Sequence, residues 1–149
     1  MQKSGHFRSP AWPPGAGPDF VNGVIRAETT LSAESTLGVL HAIESELGRQ
    51  RRRRWEARVI DLDLVDYGGL VMPDTSIHRK WRNLPPQDQA AVAPDHIVLP
   101  HPRMQDRAFV LIPLRRVDPD WVHPATGQAL DTMIAALDPD DIAAVTPLD

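Results

Sequence analysis

Two aspartates separated by one leucine, Asp61 and Asp63, are the first feature of the sequence that points to chemistry. They lie in a stretch that alternates apolar and polar residues, so period two places both carboxylates on one face of a strand, about 6.8 Å apart along the backbone. Carboxylates at this spacing suit one or two Mg²⁺ ions that also bind phosphates, because Mg²⁺ keeps most of its waters and needs few protein ligands. The alternative interpretation is the solvated polar face of an edge strand.

A run of arginines precedes the two aspartates. Between Arg49 and Arg58 six arginines stand against a single acidic residue, Glu56, although the whole chain carries a formal net charge of -4. Guanidinium groups bind phosphate in bidentate fashion and stay charged, so an arginine loop beside a carboxylate-bound metal favours the handling of a polyphosphate. A solvated loop and an RNA-binding patch are the alternatives, and the acidic whole chain with its single tyrosine argues against nucleic acid.

Single side chains elsewhere are further candidates for a ligand site. His101 can donate to a phosphate or cap the helix that follows it. Trp55, inside the arginine run, is unusual for packing and suits stacking on a flat ligand. Asn22 can read the edge of such a ligand with its amide or lie exposed on a strand. Three more aromatic residues are equally compatible with ordinary core packing: Trp12, Phe20 and Phe109.

The elements that must position these side chains follow from the hydrophobic pattern. Ser32 is a good N-cap before a period of three and four, which predicts a helix over residues 33–47 with Gly48 just past its end. Residues 58–67 alternate strictly and predict a strand that carries both aspartates. Gly68 and Gly69 predict a turn into a hairpin partner at Leu70–Met72.

The rest of the chain is predicted from its glycine and proline positions and its hydrophobic periodicity. His6–Asp19 is rich in proline and reads as a loop, followed by a strand over Phe20–Thr30 with a possible bulge at Gly23. Pro73–His96 is polar and reads as an insertion. The remaining predicted elements are a short helix around Pro86–Ala93, helices over Gln105–Val117 and Gly127–Leu137, and a closing strand over Ile142–Val145.

Composition limits the class of protein. The 149 residues suffice for one domain, and the hydrophobic residues (42%) together with 9 glycines place the chain in the ordinary globular range. The absence of cysteine excludes disulfides and thiolate metal sites. Since no apolar run has the length of a signal peptide core or a membrane helix, we expect a soluble cytoplasmic protein with no membrane partner.

The segment GRQRRRRWEARVIDLDLV resembles the signature G-R-x-R-x-x-R-W-G-P-R-x-x-D-L-D of the 6-hydroxymethyl-7,8-dihydropterin pyrophosphokinase family of the folate pathway. Three further blocks resemble the same family in the same order: FRSPAW…GPDFVNG, IESELGR and LPHPRMQDRAFVLIPL. The resemblance implies an α+β, ferredoxin-like antiparallel sheet with helices packed on it. It also implies transfer of pyrophosphate from ATP to the pterin hydroxymethyl group with two Mg²⁺ ions, releasing AMP. One departure is Glu56–Ala57, which replaces the Gly-Pro of the signature.

The resemblance also implies roles for individual residues. Asp61 and Asp63 match the positions that hold the metal ions. The positions that match catalytic, phosphate-contacting residues are Arg51, Arg58, His101 and Arg107. Those that match the ATP-facing set are His41 and Glu44, together with Arg51, His101 and Arg107. Those that match the pterin site are the stacking pair Trp55 and Phe109, the edge reader Asn22, and the surrounding Ser9, Trp12 and Phe20.

Family members begin with a strand, a Gly-Ser-Asn turn and a helix that no segment here matches. We therefore expect a single N-terminally truncated domain over residues 1–149 that lacks its first β-α unit and carries an insertion at 73–96. Its unpaired sheet edge would permit self-association. Two other hypotheses remain: a different Mg²⁺-dependent phosphate enzyme, which leaves Asn22, Trp55 and Phe109 unexplained, and an inactive homologue that binds nucleotide or RNA through the arginine loop.

Overall fold

The computed structural model describes residues 1–10, 17–48, 60–92 and 94–148. Its antiparallel strands and packed helices confirm the predicted α+β class, and the small size of the sheets is compatible with a ferredoxin-like arrangement. The chain divides into two compact units. Unit 1 contains Met1–Glu28 and Pro102–Asp149, and unit 2 is the continuous segment Thr29–His101. The single-domain organisation stays a prediction.

Unit 1 contains two small antiparallel sheets. In the first, β1 (Gln2–Lys3) pairs with β4 (Ile25–Arg26). In the second, β2 (Phe7–Ser9) lies between β3 (Phe20–Asn22) and β5 (Thr146–Pro147). The register aligns Phe7 with Asn22 and Ser9 with Phe20, so these four residues share one face of the second sheet.

A helix covers these strands. Helix α4 (Ala108–Val117) follows a 3₁₀ turn at Met104–Asp106 and packs against β2, β3 and β4, and also against two short helices near the C-terminus, α5 (Leu130–Ala135) and α6 (Pro139–Ala143). The helix predicted over Gln105–Val117 is therefore confirmed in its second part, despite Pro113 inside it. The core of unit 1 is built from large buried side chains: Phe7, Met104, Leu111, Leu114, Trp121, Leu130, Met133 and Ile134.

Unit 2 contains the longest helix among the described residues, α1 (Ala33–Gly48). The side chain of Ser32 accepts the N–H of Ser35 at 3.1 Å, which confirms the predicted N-cap. Two shorter helices follow, α2 (Thr75–Arg82) and α3 (Pro86–Ala91). Of the described helices, none combines the length and the apolar character that crossing a membrane requires.

The strand predicted over residues 58–67 is wrong for its described part, because residues 60–66 have no regular secondary structure and residue 67 is a bend. Burial alternates over residues 61–64, where Leu62 and Leu64 are half-buried and Asp61 and Asp63 are exposed, but residues 65–67 are all half-buried. The turn at Gly68–Gly69 is present, with Leu70 N–H donating to the Tyr67 carbonyl at 3.0 Å. The hairpin partner is wrong, since Met72 pairs with Leu99. Alternation reports burial on one side and does not specify a hydrogen-bonding partner.

Three further predictions differ from the structure. His6–Asp19 is not wholly a loop, because Phe7–Ser9 precedes the first proline and forms the central strand β2. The strand at Phe20–Thr30 divides at Gly23, where Ser4 takes over the pairing: its N–H donates to the Val24 carbonyl and its Oγ accepts the Val24 N–H, each at 2.9 Å. The closing strand at Ile142–Val145 is wrong, since α6 occupies Pro139–Ala143 and the strand begins at Thr146.

Candidate functional site

The Asp61–Asp63 segment of unit 2 is held by its backbone. The N–H of Leu62, the residue between the two aspartates, donates to the Glu44 Oε2 atom of α1 at 2.9 Å. Glu44 is half-buried, and His41 lies exposed one turn earlier on the same side of the helix. The bond fixes the Asp61–Leu62 peptide. The side chains of Asp61 and Asp63, on either side of Leu62, are both exposed.

These two carboxylates fit a hard divalent cation in donor type and in exposure. Among the described residues no group of three or more His, Asp or Glu side chains forms a complete metal cage. Mg²⁺ does not require one, because it is commonly bound through one or two carboxylates with substrate phosphates and waters completing its octahedron. The donor set of Asp61 and Asp63 is therefore suited to a metal that arrives with a phosphate ligand.

His101 is joined by its backbone to the same segment. Its N–H donates to the carbonyl of Val65, two residues beyond Asp63, at 2.8 Å. Leu99, two residues before His101, exchanges two backbone hydrogen bonds with Met72, at 2.9 and 3.1 Å. The histidine therefore follows a buried, doubly paired stretch of chain, and its half-buried side chain belongs to the same unit as the two aspartates.

In unit 1, three candidate ligand residues lie on one face of the three-stranded sheet. Ser9 is buried, Asn22 is half-buried with its Nδ2 at 3.5 Å from the Ser9 Oγ, and Phe20 keeps 48% of its surface exposed. Helix α4 lies over this face, since the Arg116 guanidinium is 4.6 Å from the ring centroid of Phe7. The exposure of Phe20 argues against the core-packing interpretation of this residue.

Phe109 and Arg107 lie at the start of α4. Phe109 is half-buried, and the Arg107 guanidinium lies 5.5 Å from its ring centroid, within cation–π range. Phe109 and Arg116 are seven residues apart and therefore share a face of the helix. A half-buried aromatic ring, a half-buried amide and an exposed aromatic ring thus belong to one unit.

Four of the predicted site residues lie outside the described residues: Trp12, Arg51, Trp55 and Arg58. The same holds for Glu56–Ala57, where the sequence departs from the family signature. The remaining candidates divide into two groups, each within its own unit. Unit 2 contains His41, Glu44, Asp61, Asp63 and His101, and unit 1 contains Ser9, Phe20, Asn22, Arg107 and Phe109.

The sequence reasoning missed a polar pair in the 73–96 segment, the buried His78 and the half-buried Arg82. His78 on α2 is fully buried, its Nε2 lies 2.8 Å from the Pro100 carbonyl oxygen, and its Nδ1 lies 2.9 Å from the Arg82 Nη1. Burial lowers the pKa of His78 below its ordinary 6.5, the carbonyl opposes this and the charge of Arg82 adds to it. The available signal was Asp74, an N-cap that accepts the Ile77 N–H at 2.8 Å, four residues before His78.

Comparison with known proteins identifies the class to which this arrangement belongs. Residues 1–119 match the family model described as 7,8-dihydro-6-hydroxymethylpterin-pyrophosphokinase (HPPK). The match covers most of the chain and includes every candidate site residue. The chain belongs to this family, which confirms the resemblance predicted from the motifs.

Several curated relatives are similar to the chain along most of its length. A 2-amino-4-hydroxy-6-hydroxymethyldihydropteridine pyrophosphokinase of Synechocystis is 37% identical over 145 residues, which are 97% of this chain and 62% of that protein. The protein of the same name from Methylorubrum extorquens is 34% identical over 145 residues, 97% of this chain and 78% of that protein. The one from Haemophilus influenzae is 33% identical over 121 residues, 81% of this chain and 63% of that protein. The chain thus spans about two thirds of the length of these relatives.

Proposed function

We propose that the chain transfers the pyrophosphoryl group of ATP to the hydroxymethyl oxygen of 6-hydroxymethyl-7,8-dihydropterin and releases AMP, a step of folate biosynthesis. One observation carries the proposal: Asp61 and Asp63 extend to the exposed side of a segment whose backbone is hydrogen-bonded to Glu44 and His101. These residues match the family's motifs, and the chain belongs to that family. The names of the relatives support the same substrate class.

The proposed reaction is a displacement at the β-phosphorus of ATP. The pterin hydroxymethyl oxygen forms a bond to that phosphorus, the bond to the oxygen bridging the α- and β-phosphates breaks, and AMP leaves with the electron pair. The hydroxyl proton passes to solvent or to a base. Little covalent chemistry is required of the protein, so its contribution is to position the substrates and stabilise charge.

Asp61 and Asp63 are the proposed ligands of two Mg²⁺ ions. Mg²⁺ held by these carboxylates would neutralise negative charge on the phosphate oxygens of ATP. In this proposal Glu44 and His41 face ATP, and the positively charged or hydrogen-bonding contacts to the phosphates come from Arg51, Arg58, His101 and Arg107. Guanidinium groups suit this role because they stay charged and donate in pairs.

The residues of unit 1 support a flat heterocyclic substrate. Phe109 offers a half-buried ring for stacking, and Asn22 offers an amide donor and acceptor for the edge of a pterin. Trp55 is proposed as the second stacking ring, and Ser9, Trp12 and Phe20 as the surroundings of the pterin. The cytoplasmic location and the absence of a nucleic-acid partner stay predictions.

A coupled assay for AMP tests the proposal. The chain with ATP and Mg²⁺ should form AMP only when 6-hydroxymethyl-dihydropterin is present, and Asp61→Ala or Asp63→Ala should abolish the pterin-dependent signal. Asp120→Ala, which removes an exposed aspartate of unit 1, is the matched control and should leave the rate unchanged. A folded wild-type chain that forms no pterin-dependent AMP would refute the proposal. RNA binding with a steep salt dependence, lost on replacing Arg51–Arg54, would then favour the arginine-loop hypothesis.

A further inference from the structure

The peptide group between Pro100 and His101 is held at both of its polar ends. Its carbonyl oxygen, that of Pro100, lies 2.8 Å from the His78 Nε2, and its N–H, that of His101, donates to the Val65 carbonyl at 2.8 Å. The oxygen and hydrogen of a trans peptide point in opposite directions. The two bonds therefore fix the plane of this peptide from α2 on one side and from the Asp61–Asp63 segment on the other.

The protonation of His78 follows from two of its partners among the described residues, the Pro100 carbonyl and the Arg82 guanidinium. The Pro100 carbonyl can only accept a hydrogen bond and the Arg82 guanidinium can only donate one. His78 must therefore carry its proton on Nε2, donate it to Pro100, and accept from Arg82 at Nδ1, so the ring is neutral. Arg82 thus keeps the imidazole in the only tautomer that can hold the Pro100 carbonyl.

We propose that His78, fixed by Arg82, is a positioning residue for His101: helix α2 of the 73–96 segment sets the backbone from which the His101 side chain extends. The inference rests on the proposed function, in which His101 contacts phosphate. It gives the 73–96 segment a role at the site through a residue that does not itself touch substrate.

A merely structural role for His78 predicts less than this. Filling the space under α2 requires volume, which an apolar side chain supplies without the penalty of burying an imidazole. The His78 imidazole instead donates its N–H to the carbonyl of the Pro100–His101 peptide. Removing that donor frees one end of the peptide plane while the Val65 bond still holds the other, so the plane can rotate and displace the His101 ring.

Four variants of the full chain test the inference. His78→Met keeps a similar volume but removes the donor, and His78→Gln places an amide N–H where the Nε2–H was. Arg82→Met removes only the group that fixes the tautomer. Arg79→Met is the control, since Arg79 lies exposed on the same helix and its loss changes the charge by the same amount.

The first measurement does not depend on activity. In NMR spectra of histidine-labelled chain, the His101 imidazole signals should move in His78→Met, move less in Arg82→Met, return towards wild type in His78→Gln, and stay unchanged in Arg79→Met. The second measurement is pterin-dependent AMP formation. In His78→Met kcat should fall about tenfold, with KM for the pterin changed less than about threefold, because a misplaced group acts mainly in the transition state.

The outcomes separate the two proposals. A folded His78→Met chain with unshifted His101 signals and wild-type kcat would overturn the inference. If His78→Met does not fold, Arg82→Met decides, and unshifted His101 signals in that variant count against the inference. If the wild-type chain makes no AMP while the His101 signals respond as expected, the proposed function fails and the positioning of His101 by His78 stands.

Discussion

At the scale of single residues, Glu44 has a role that can be separated into charge and hydrogen bonding. Its Oε2 accepts the N–H of Leu62 at 2.9 Å, so removal of the side chain frees the peptide between Asp61 and Asp63. If this bond orients the two aspartates, Glu44→Gln should keep kcat within about threefold because the amide oxygen still accepts, whereas Glu44→Ala should lose about tenfold or more.

The measurement is pterin-dependent AMP formation, with Glu34→Ala as the control on an exposed glutamate of the same helix. Equal losses in Glu44→Gln and Glu44→Ala would show that the negative charge, facing ATP, matters and that the bond to Leu62 does not. Either result assigns the residue, because Glu44→Gln removes the charge and keeps an acceptor oxygen, whereas Glu44→Ala removes both.

His78 predicts how stability responds to acid. Burial lowers its pKa below 6.5, so in the fold the ring is neutral over a range of pH where the unfolded chain binds a proton. The stability that this neutral ring contributes is fully present above the unfolded pKa. It is lost as the pH falls through the lower native pKa, because the unfolded state then holds more protons.

Urea unfolding of wild type and His78→Met at pH about 7.5 and about 5.5 checks this linkage. The drop in unfolding free energy between the two values should be smaller in His78→Met, even if that variant is less stable throughout. His6→Gln, which removes an exposed histidine, should keep the wild-type drop. An unchanged drop in His78→Met would mean that His78 does not contribute to acid sensitivity.

At the scale of elements, the two glycines Gly23 and Gly38 should respond in opposite directions to the same substitution. A Cβ at Gly23 would lie 2.7 Å from the Gly5 carbonyl oxygen, where the chain passes from β3 to β4, whereas a Cβ at Gly38 inside α1 meets no atom within 4 Å. Gly23→Ala should destabilise by about 1–3 kcal/mol through the forced backbone shift. Gly38→Ala should stabilise by about 0.5–1 kcal/mol.

Denaturant unfolding of both variants measures the two signs in one experiment. A stabilising or neutral Gly23→Ala would mean that the backbone at Gly5 and Gly23 can move apart without loss of stability. A destabilising Gly38→Ala would mean that the exposed side of α1 at this position is covered in solution.

The elements that could be predicted are those whose sequence signals lie within the element itself. Helix α1 was predictable because Ser32 caps it and its apolar period is its own property. The ladder expected over residues 58–67 was not, since alternation shows which side is buried but not which backbone will pair, and Met72 pairs instead with Leu99, far along the chain. The candidate site follows the same division: spacing predicts Asp61 and Asp63 as metal ligands, which stays a prediction, whereas the Glu44–Leu62 and His78–Pro100 bonds arise from tertiary packing and have no local signal.

At the scale of the whole molecule, thermal unfolding can decide whether the chain is one domain or two. Unit 2 is one continuous segment that lies in sequence between the two segments of unit 1. The single-domain prediction requires one cooperative transition with equal calorimetric and van't Hoff enthalpies. Self-association through a sheet edge, also a prediction, would make the midpoint depend on protein concentration.

One substitution in each unit tests whether the chain unfolds in a single cooperative transition. Gly23→Ala perturbs unit 1 and His78→Met perturbs unit 2, so in a single cooperative domain both should move the same calorimetric peak, by about 2–4 °C for each kcal/mol lost. Arg79→Met, exposed on α2, should leave the peak in place. Two peaks, of which each variant moves only one, would show two independently unfolding units. The chain would then consist of two domains, and the single-domain prediction would be wrong.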